Sequence, residues 1–340
     1  MHFLSDNTAP ACPEILAALN EASREHVHSY GEDRWTQRLD QALGEYFGTE
    51  VRAFVVATGT AANSLALATL SPPYGAVFAH EEAHIQTDEC GAPAFFSGGA
   101  QLALLPGEHG RIAPETFAAA LATHPALYSG VHSVQPAALS LTQLTEFGTA
   151  YRPAQLRELA ALAHGRGLKV HMDGARFANA VVFLGCHPAE ITWRAGIDVL
   201  SFGATKNGAL AAEAVVFFDP ALVRDFELRR KRAGQLFSKS RYVAAQLLAY
   251  LAGDLWKRNA ERTNALARRI ALSAADALLH PTEGNEVFLK LGVEPRERLR
   301  AAGFEFYDWG PPQRGEARLV VSWDTPEDDV AALCAALQRL

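Results

Sequence analysis

Three short segments hold residue types that could do covalent chemistry together. In Leu168-Lys169-Val170-His171-Met172-Asp173-Gly174-Ala175-Arg176 an apolar run ends in a carboxylate, a glycine and an arginine. Open α/β sheets bind ligands at the carboxyl ends of their strands, which would put Asp173 at the mouth of a site. Taken alone, Asp173 reads as an N-cap of the next helix. In Ile197-Asp198-Val199-Leu200-Ser201-Phe202-Gly203-Ala204-Thr205-Lys206-Asn207-Gly208 a strand runs into a loop of small residues that holds one lysine. An amine in a dry pocket loses part of its charge and can condense with an aldehyde. A loop lysine is otherwise a solvated charge. In Thr58-Gly59-Thr60-Ala61-Ala62-Asn63 a strand enters a glycine turn and a helix leaves it. Backbone N–H groups and a hydroxyl at such a helix start cradle phosphate; the plain reading is a capped helix. The segment matches neither G-x-G-x-x-G nor G-x-x-x-x-G-K-[ST], which excludes the dinucleotide and P-loop readings.

The elements that must position these residues follow from periodicity. Pro13 opens a helical stretch to about His28, and Trp35 to Phe47 reads as a second helix stopped by Gly48. Strands are expected at Arg52–Ala57, Ala76–Ala79, Gln101–Leu105, Ala138–Leu141, Leu168–Met172, Val199–Phe202 and Ala214–Phe218, with helices such as Pro153–Gly165 between most of them. Short apolar strands between helices imply a mostly parallel sheet covered on both faces. Lys206 follows Asp173 by 33 residues. That is about one helix and one strand, so one crossover brings both to the same side of the sheet. Ala221 to Leu279 reads as almost continuous helix, broken near Gly234 and Gly253. A βαβα tail follows: strand Glu286–Leu291, helix Pro295–Ala302, strand Arg318–Trp323 and helix Pro326–Leu340. The expectation is a large α/β domain over residues 1–250 and a smaller C-terminal α/β domain over 251–340.

Together, a phosphate cradle, a strand-terminal Asp and a loop Lys stand in the order required by pyridoxal 5'-phosphate (PLP) enzymes of the aspartate aminotransferase type (fold type I). The Asp keeps the pyridine nitrogen protonated, and the Lys holds the cofactor as a Schiff base. The chain further resembles the L-threonine aldolases, in the β-eliminating lyase group of PLP enzymes. The likeness is carried by Ser5-Asp6-Asn7-Thr8, Tyr30-Gly31-Glu32-Asp33, Gly59-Thr60-Ala61-Ala62-Asn63, Ala83-His84, His171-Met172-Asp173-Gly174-Ala175-Arg176 and Ala204-Thr205-Lys206-Asn207-Gly208.

The resemblance implies a role for each matching position. Lys206 would be the Schiff-base lysine, Asp173 the partner of the pyridine nitrogen, and Gly59 and Thr60 the phosphate contacts. His84 would stack on the ring. Ser5, Arg176 and Arg318 would grip the substrate carboxylate or sit beside the cofactor. His132 matches a histidine near the β-hydroxyl, so His84 and His132 are the candidate bases. Tyr30 and Lys231 would reach the site of a neighbouring subunit. Two stretches depart from the family. Leu141-Thr142-Gln143-Leu144-Thr145 replaces a Glu-Asn-Thr-His stretch, and Gly234-Gln235-Leu236-Phe237-Ser238-Lys239 replaces a Gly-Gly-Met-Arg run. Gln143 and Lys239 are expected to substitute for the lost ring-hydroxyl and phosphate contacts. The activity implied is cleavage of L-threonine, L-allo-threonine and related β-hydroxy-α-amino acids to glycine and an aldehyde. Phenylserine-type cleavage, β-elimination and a non-catalytic PLP-binding protein are the alternatives. A symmetric dimer or dimer of dimers is implied as well.

Composition agrees with a globular enzyme. Apolar residues make up 49% and charged residues 20%, with a net charge of −7 and acids and bases interleaved. That argues against a nucleic-acid surface. No apolar run has membrane-span length and no signal peptide is visible. The four cysteines are scattered, so neither a metal site nor a disulfide framework is expected, and the cytoplasm is the expected location.

Overall fold

The computed structural model describes residues 1–340. Seven strands form the central sheet: β1 (Arg52–Val56), β2 (Gly75–His80), β3 (Gln101–Leu105), β4 (Gln135–Thr142), β5 (Lys169–Gly174), β6 (Val199–Gly203) and β7 (Glu213–Phe217). Their order is β1-β7-β6-β5-β4-β2-β3. Strands β3, β2, β4, β5 and β6 run parallel, and β7 lies antiparallel between β6 and β1. Strands β2, β6 and β7 are buried at every position, as a sheet covered on both faces requires. The mostly parallel sheet read from the sequence is therefore present.

The helix Gly59–Leu70 lies against this sheet, buried from Ala61 to Ala68. Its small residues Ala61, Ala62, Ser64, Ala66 and Ala68 let the backbone approach closely, which brings its N-terminus over the ends of the central strands. The first helix, Pro13–Ala22, is shorter than expected. Residues beyond Ala22 lack the apolar repeat that would hold another turn against the core. The long helical stretch is divided into Phe226–Arg232, Arg241–Leu251 and Leu255–Ser273. The breaks contain Gly234 (φ 74°) and Gly253 (φ 56°), left-handed positions that favour glycine.

The expected βαβα elements of the tail are present: β8 (Glu286–Lys290), the helix Val293–Ala301, a strand Glu316–Val320 and the helix Glu327–Leu337. A two-residue strand β9 (Tyr307–Asp308) is added, and with β10 (Glu316–Val320) in the middle the three strands form an antiparallel sheet. Strand β9 has two residues, too few to show alternation in sequence. The chain's beginning also belongs here. Phe3 is fully buried in the core of this second unit. Its N–H donates to the Glu305 carbonyl at 2.8 Å, and its carbonyl accepts from the Val320 N–H at 2.9 Å. Helix Leu255–Ser273 serves both cores: Leu255, Trp256 and Ala260 pack in the large one, and Leu266, Ala267 and Ile270 in the small one. We place the division between the units inside that helix. No helix is long and apolar enough to cross a membrane.

Candidate active site

The carboxyl ends of β4, β5 and β6 open into one pocket, lined among others by Thr58, Gly59, Thr60, His84, Asp173 and Lys206. Each reaches it for a local reason. Thr58 caps the helix Gly59–Leu70, its hydroxyl accepting from the Ala61 N–H at 3.1 Å. The N–H groups of Gly59 and Thr60, at the start of the helix, have no intrahelical partner and remain available to an anion in the pocket. Asp173 is the penultimate residue of β5. One carboxylate oxygen accepts from the Ala175 N–H at 2.9 Å and the other from Asn63 Nδ2 at 2.7 Å. Beneath it on the same face of β5, His171 is fully buried between Ser140 and Ser201, both at 2.9 Å. Burial pushes its pKa down to about 4, which keeps the ring neutral. Lys206 lies half-buried in the short 3-10 turn Thr205–Asn207 that follows β6.

A carboxylate network surrounds His84. Its Nδ1 donates to Glu89 at 3.0 Å, and its backbone N–H donates to Glu146 at 2.8 Å. The bond to Glu89 raises the pKa of His84. Asn63 Nδ2 bridges Glu89, at 2.9 Å, and Asp173. Burial raises Glu89, and it lifts Glu146 and Glu213, which also line the pocket, to about 7. Glu89 Oε2 and Glu146 Oε2 are buried without a hydrogen-bond partner. A buried oxygen left unpaired is costly, and such atoms gather where a ligand completes them.

The comparisons with known proteins agree with this geometry. Residues 2–293 match the family model described as beta-eliminating lyase. The chain belongs to the beta-eliminating lyase family. Within this family it is 45% identical over 335 residues to a low specificity L-threonine aldolase of Pseudomonas aeruginosa, covering 97% of this chain and 95% of the relative. It is 42% identical over 342 residues to the low specificity L-threonine aldolase of a Pseudomonas species, covering 99% and 97%. A solved Leishmania major threonine aldolase superposes with a TM-score of 0.92 at 25% identity, covering 99% of this chain and 98% of that one. A Sphingomonas wittichii serine palmitoyltransferase, at 17% identity, shares the fold with a TM-score of 0.73, covering 100% of this chain and 86% of that one.

In this lyase-family chain the pocket gathers Gly59, Thr60, His84, Asp173, Arg176 and Lys206. Ser5 lies next to it, capping the 3-10 turn Asp6–Thr8. Arg176 is already engaged: Nε and Nη2 donate to Asp6 at 2.8 and 3.1 Å, and Nη1 lies 3.1 Å from Glu286. Arg318, on β10, faces the aromatic rings of Tyr307 and Trp309, and its Nε is buried without a partner. Two expectations are corrected. Gln143 does not face the pocket. It is fully buried, and both its amide atoms are used on the Tyr151 backbone, at 2.9 and 3.0 Å. His132 is exposed and precedes β4, whereas the pocket lies at the other end of that strand. Eight residues at about 3.3 Å each separate the two ends by roughly 25 Å, so His132 can act only on a site outside its own subunit.

Tyr30 and Lys231 meet outside the pocket. The ammonium lies 4.9 Å from the centre of the tyrosine ring, and Tyr30 is 52% exposed. The sequence reading missed Asn63, Glu89, Glu146, Glu213 and the Asp6–Glu286 clamp on Arg176. Glu89 had one local signal, its position five residues after His84. The others reach the site only through the sheet's crossovers and the packing of the two units.

Proposed function

We propose that this chain is a PLP-dependent L-threonine aldolase that cleaves L-threonine, L-allo-threonine and related β-hydroxy-α-amino acids to glycine and an aldehyde. The observation that carries the reading is the convergence of the Thr58–Thr60 helix start, Asp173 and Lys206 on one pocket. The residues present fit the cofactor. Unpaired N–H groups suit its phosphate, a buried carboxylate suits its ring nitrogen, and an amine suits its carbonyl. When bound, PLP supplies an electron sink for the bond being broken.

Asp173 would hold the ring nitrogen and keep it protonated, and Asn63 and the Ala175 N–H fix the two carboxylate oxygens. His84, which lines the pocket, would cover the ring face. With Nδ1–H given to Glu89, its Nε2 keeps a free lone pair. The β-hydroxyl proton passes to that Nε2. Because Arg176 is held by Asp6 and Glu286, the grip on the substrate carboxylate falls chiefly to Arg318, which has an unpartnered N–H. Arg176 then shapes the wall beside the cofactor. The exposed Tyr30–Lys231 pair supports a homo-oligomer, a dimer or dimer of dimers, in which this corner meets a neighbour's site. A cytoplasmic location fits the free, scattered cysteines.

Borohydride reduction of the PLP-loaded protein, followed by peptide mapping, is expected to leave a pyridoxyl adduct on Lys206. Lys206→Ala is expected to lose it together with about 10⁴-fold or more of the turnover of L-threonine to glycine. An adduct at another lysine, or pyruvate or oxobutyrate with ammonia as products, overturns the assignment.

A further inference from the structure

Glu213 is a buried acid to which the reading above gives no task. It opens β7 and pairs across the sheet with Gly203, the last residue of β6. That register sets its side chain beside the turn that carries Lys206. Gly203 makes the room: a Cβ there would stand 2.8 Å from Glu213 Oε2. The carboxyl is 7% exposed, faces Thr205, and lines the same pocket as Lys206 and Asp173.

A carboxyl group this deep keeps its charge only beside a cation and otherwise holds a proton. The cation acting on Glu213 is Lys206. The other titratable groups that feel the Lys206 charge are Asp6, Glu286 and His84. Each of these is already held elsewhere. Asp6 and Glu286 are clamped by Arg176, and His84 is bonded to Glu89. Asp173, the remaining acid acting on Glu213, is bonded to Asn63 and Ala175. Glu213 is thus the acid that the sheet register sets beside the lysine's turn.

Resting on Lys206 as the lysine that condenses with the cofactor's carbonyl, we propose that Glu213 is its positioning residue, acting as counter-charge for the amine. The Lys206 nitrogen must lose a proton before its lone pair can attack a carbonyl. A carboxylate charge at Glu213 favours the proton on Nζ, and loss of that charge favours its release. No electrons change hands, and no further reactant is needed.

The test is a pH titration of the visible absorbance band of the PLP-loaded protein, for the wild type, Glu213→Gln and Glu213→Asp. Removing a neighbouring carboxylate destabilises the protonated nitrogen, so the midpoint in Glu213→Gln is expected about one unit or more lower. Glu213→Asp keeps the charge but withdraws it by one methylene, and a smaller drop is expected. A midpoint in Glu213→Gln equal to that of the wild type overturns the proposal. If that variant does not accumulate in folded form, a wild-type midpoint in Glu213→Asp overturns it instead. A second readout uses cofactor-free protein: the pH at which Lys206 becomes open to reductive methylation, followed by mass spectrometry, is expected to fall in Glu213→Gln. A band with an unshifted midpoint refutes Glu213 alone, whereas a wild type with no band and no Lys206 adduct refutes the cofactor reading and this inference with it.

Discussion

The two ends of the central sheet use carboxylates in opposite ways. At the amino-terminal ends of β5 and β6, Asp198 is saturated. It accepts from the Val170 N–H at 2.7 Å, pairs with His164 at 2.9 Å and lies 3.4 Å from the Lys169 ammonium. At the carboxyl ends, Glu89 and Glu146 each keep a buried oxygen without a partner, and Glu213 borrows its counter-charge from Lys206. The first end is built for stability. The second holds polar atoms in place before their partner arrives, at a cost to folding that a bound ligand repays.

The comparison breaks first at His84. If its Nε2 is the base, His84→Phe is expected to lower turnover by roughly 10²- to 10⁴-fold. Steady-state kinetics on L-threonine checks this, and a loss below about tenfold leaves His84 as a ring cover only. Next is Asp173→Asn. Loss of an opposite charge beside the ring nitrogen shifts its protonation by about one to three units, so a loss of about 10- to 10³-fold is expected. A weakened visible band at neutral pH would accompany it.

At the opposite end the expectation reverses. Asp198→Ala leaves the Val170 N–H unpaired and is expected to cost about 1–3 kcal/mol of stability. Turnover per folded molecule should be unchanged. Chemical denaturation beside kinetics separates the two, and a selective loss of turnover would mean that the ends are not independent.

The smallest effect is in pH. Burial raises Glu146 and Glu213 from 4.5 to about 7, so the folded chain keeps protons that the unfolded chain has released. Stability from this source is complete below pH 4.5 and lost as pH rises to 7. His84, also raised, acts in the same direction. The thermal midpoint of cofactor-free protein is expected to fall over that window, by about 2 °C or more. The double variant Glu146→Gln, Glu213→Gln should flatten the fall.

Much of the site was legible because its parts end strands or begin helices. Asp173 closes an apolar run and Lys206 follows another, so one crossover put both on the same side of the sheet, and the order typical of PLP enzymes joined the Thr58–Thr60 helix start to them. Gln143 and His132 failed for different reasons. Gln143 stands where a strand ends, but its amide clamps the Tyr151 backbone, a contact across a loop that no spacing reveals. His132 stands in a turn before β4, and the length of that strand separates it from the pocket of its own subunit. The two-residue strand β9 was invisible because alternation needs more residues than it has.

The sequence by itself determined the parallel sheet, its helical cover and the order of cradle, acid and lysine, since these depend on local periodicity and chain direction. Only the tertiary structure decided which acids serve which cations. Asp6, Glu286 and Arg176 come from opposite ends and the middle of the chain. Glu213 reaches the lysine turn because an antiparallel strand folds back beside Gly203. Charge pairing in a buried pocket depends on distance and desolvation, and neither is written in the spacing of residues along a chain.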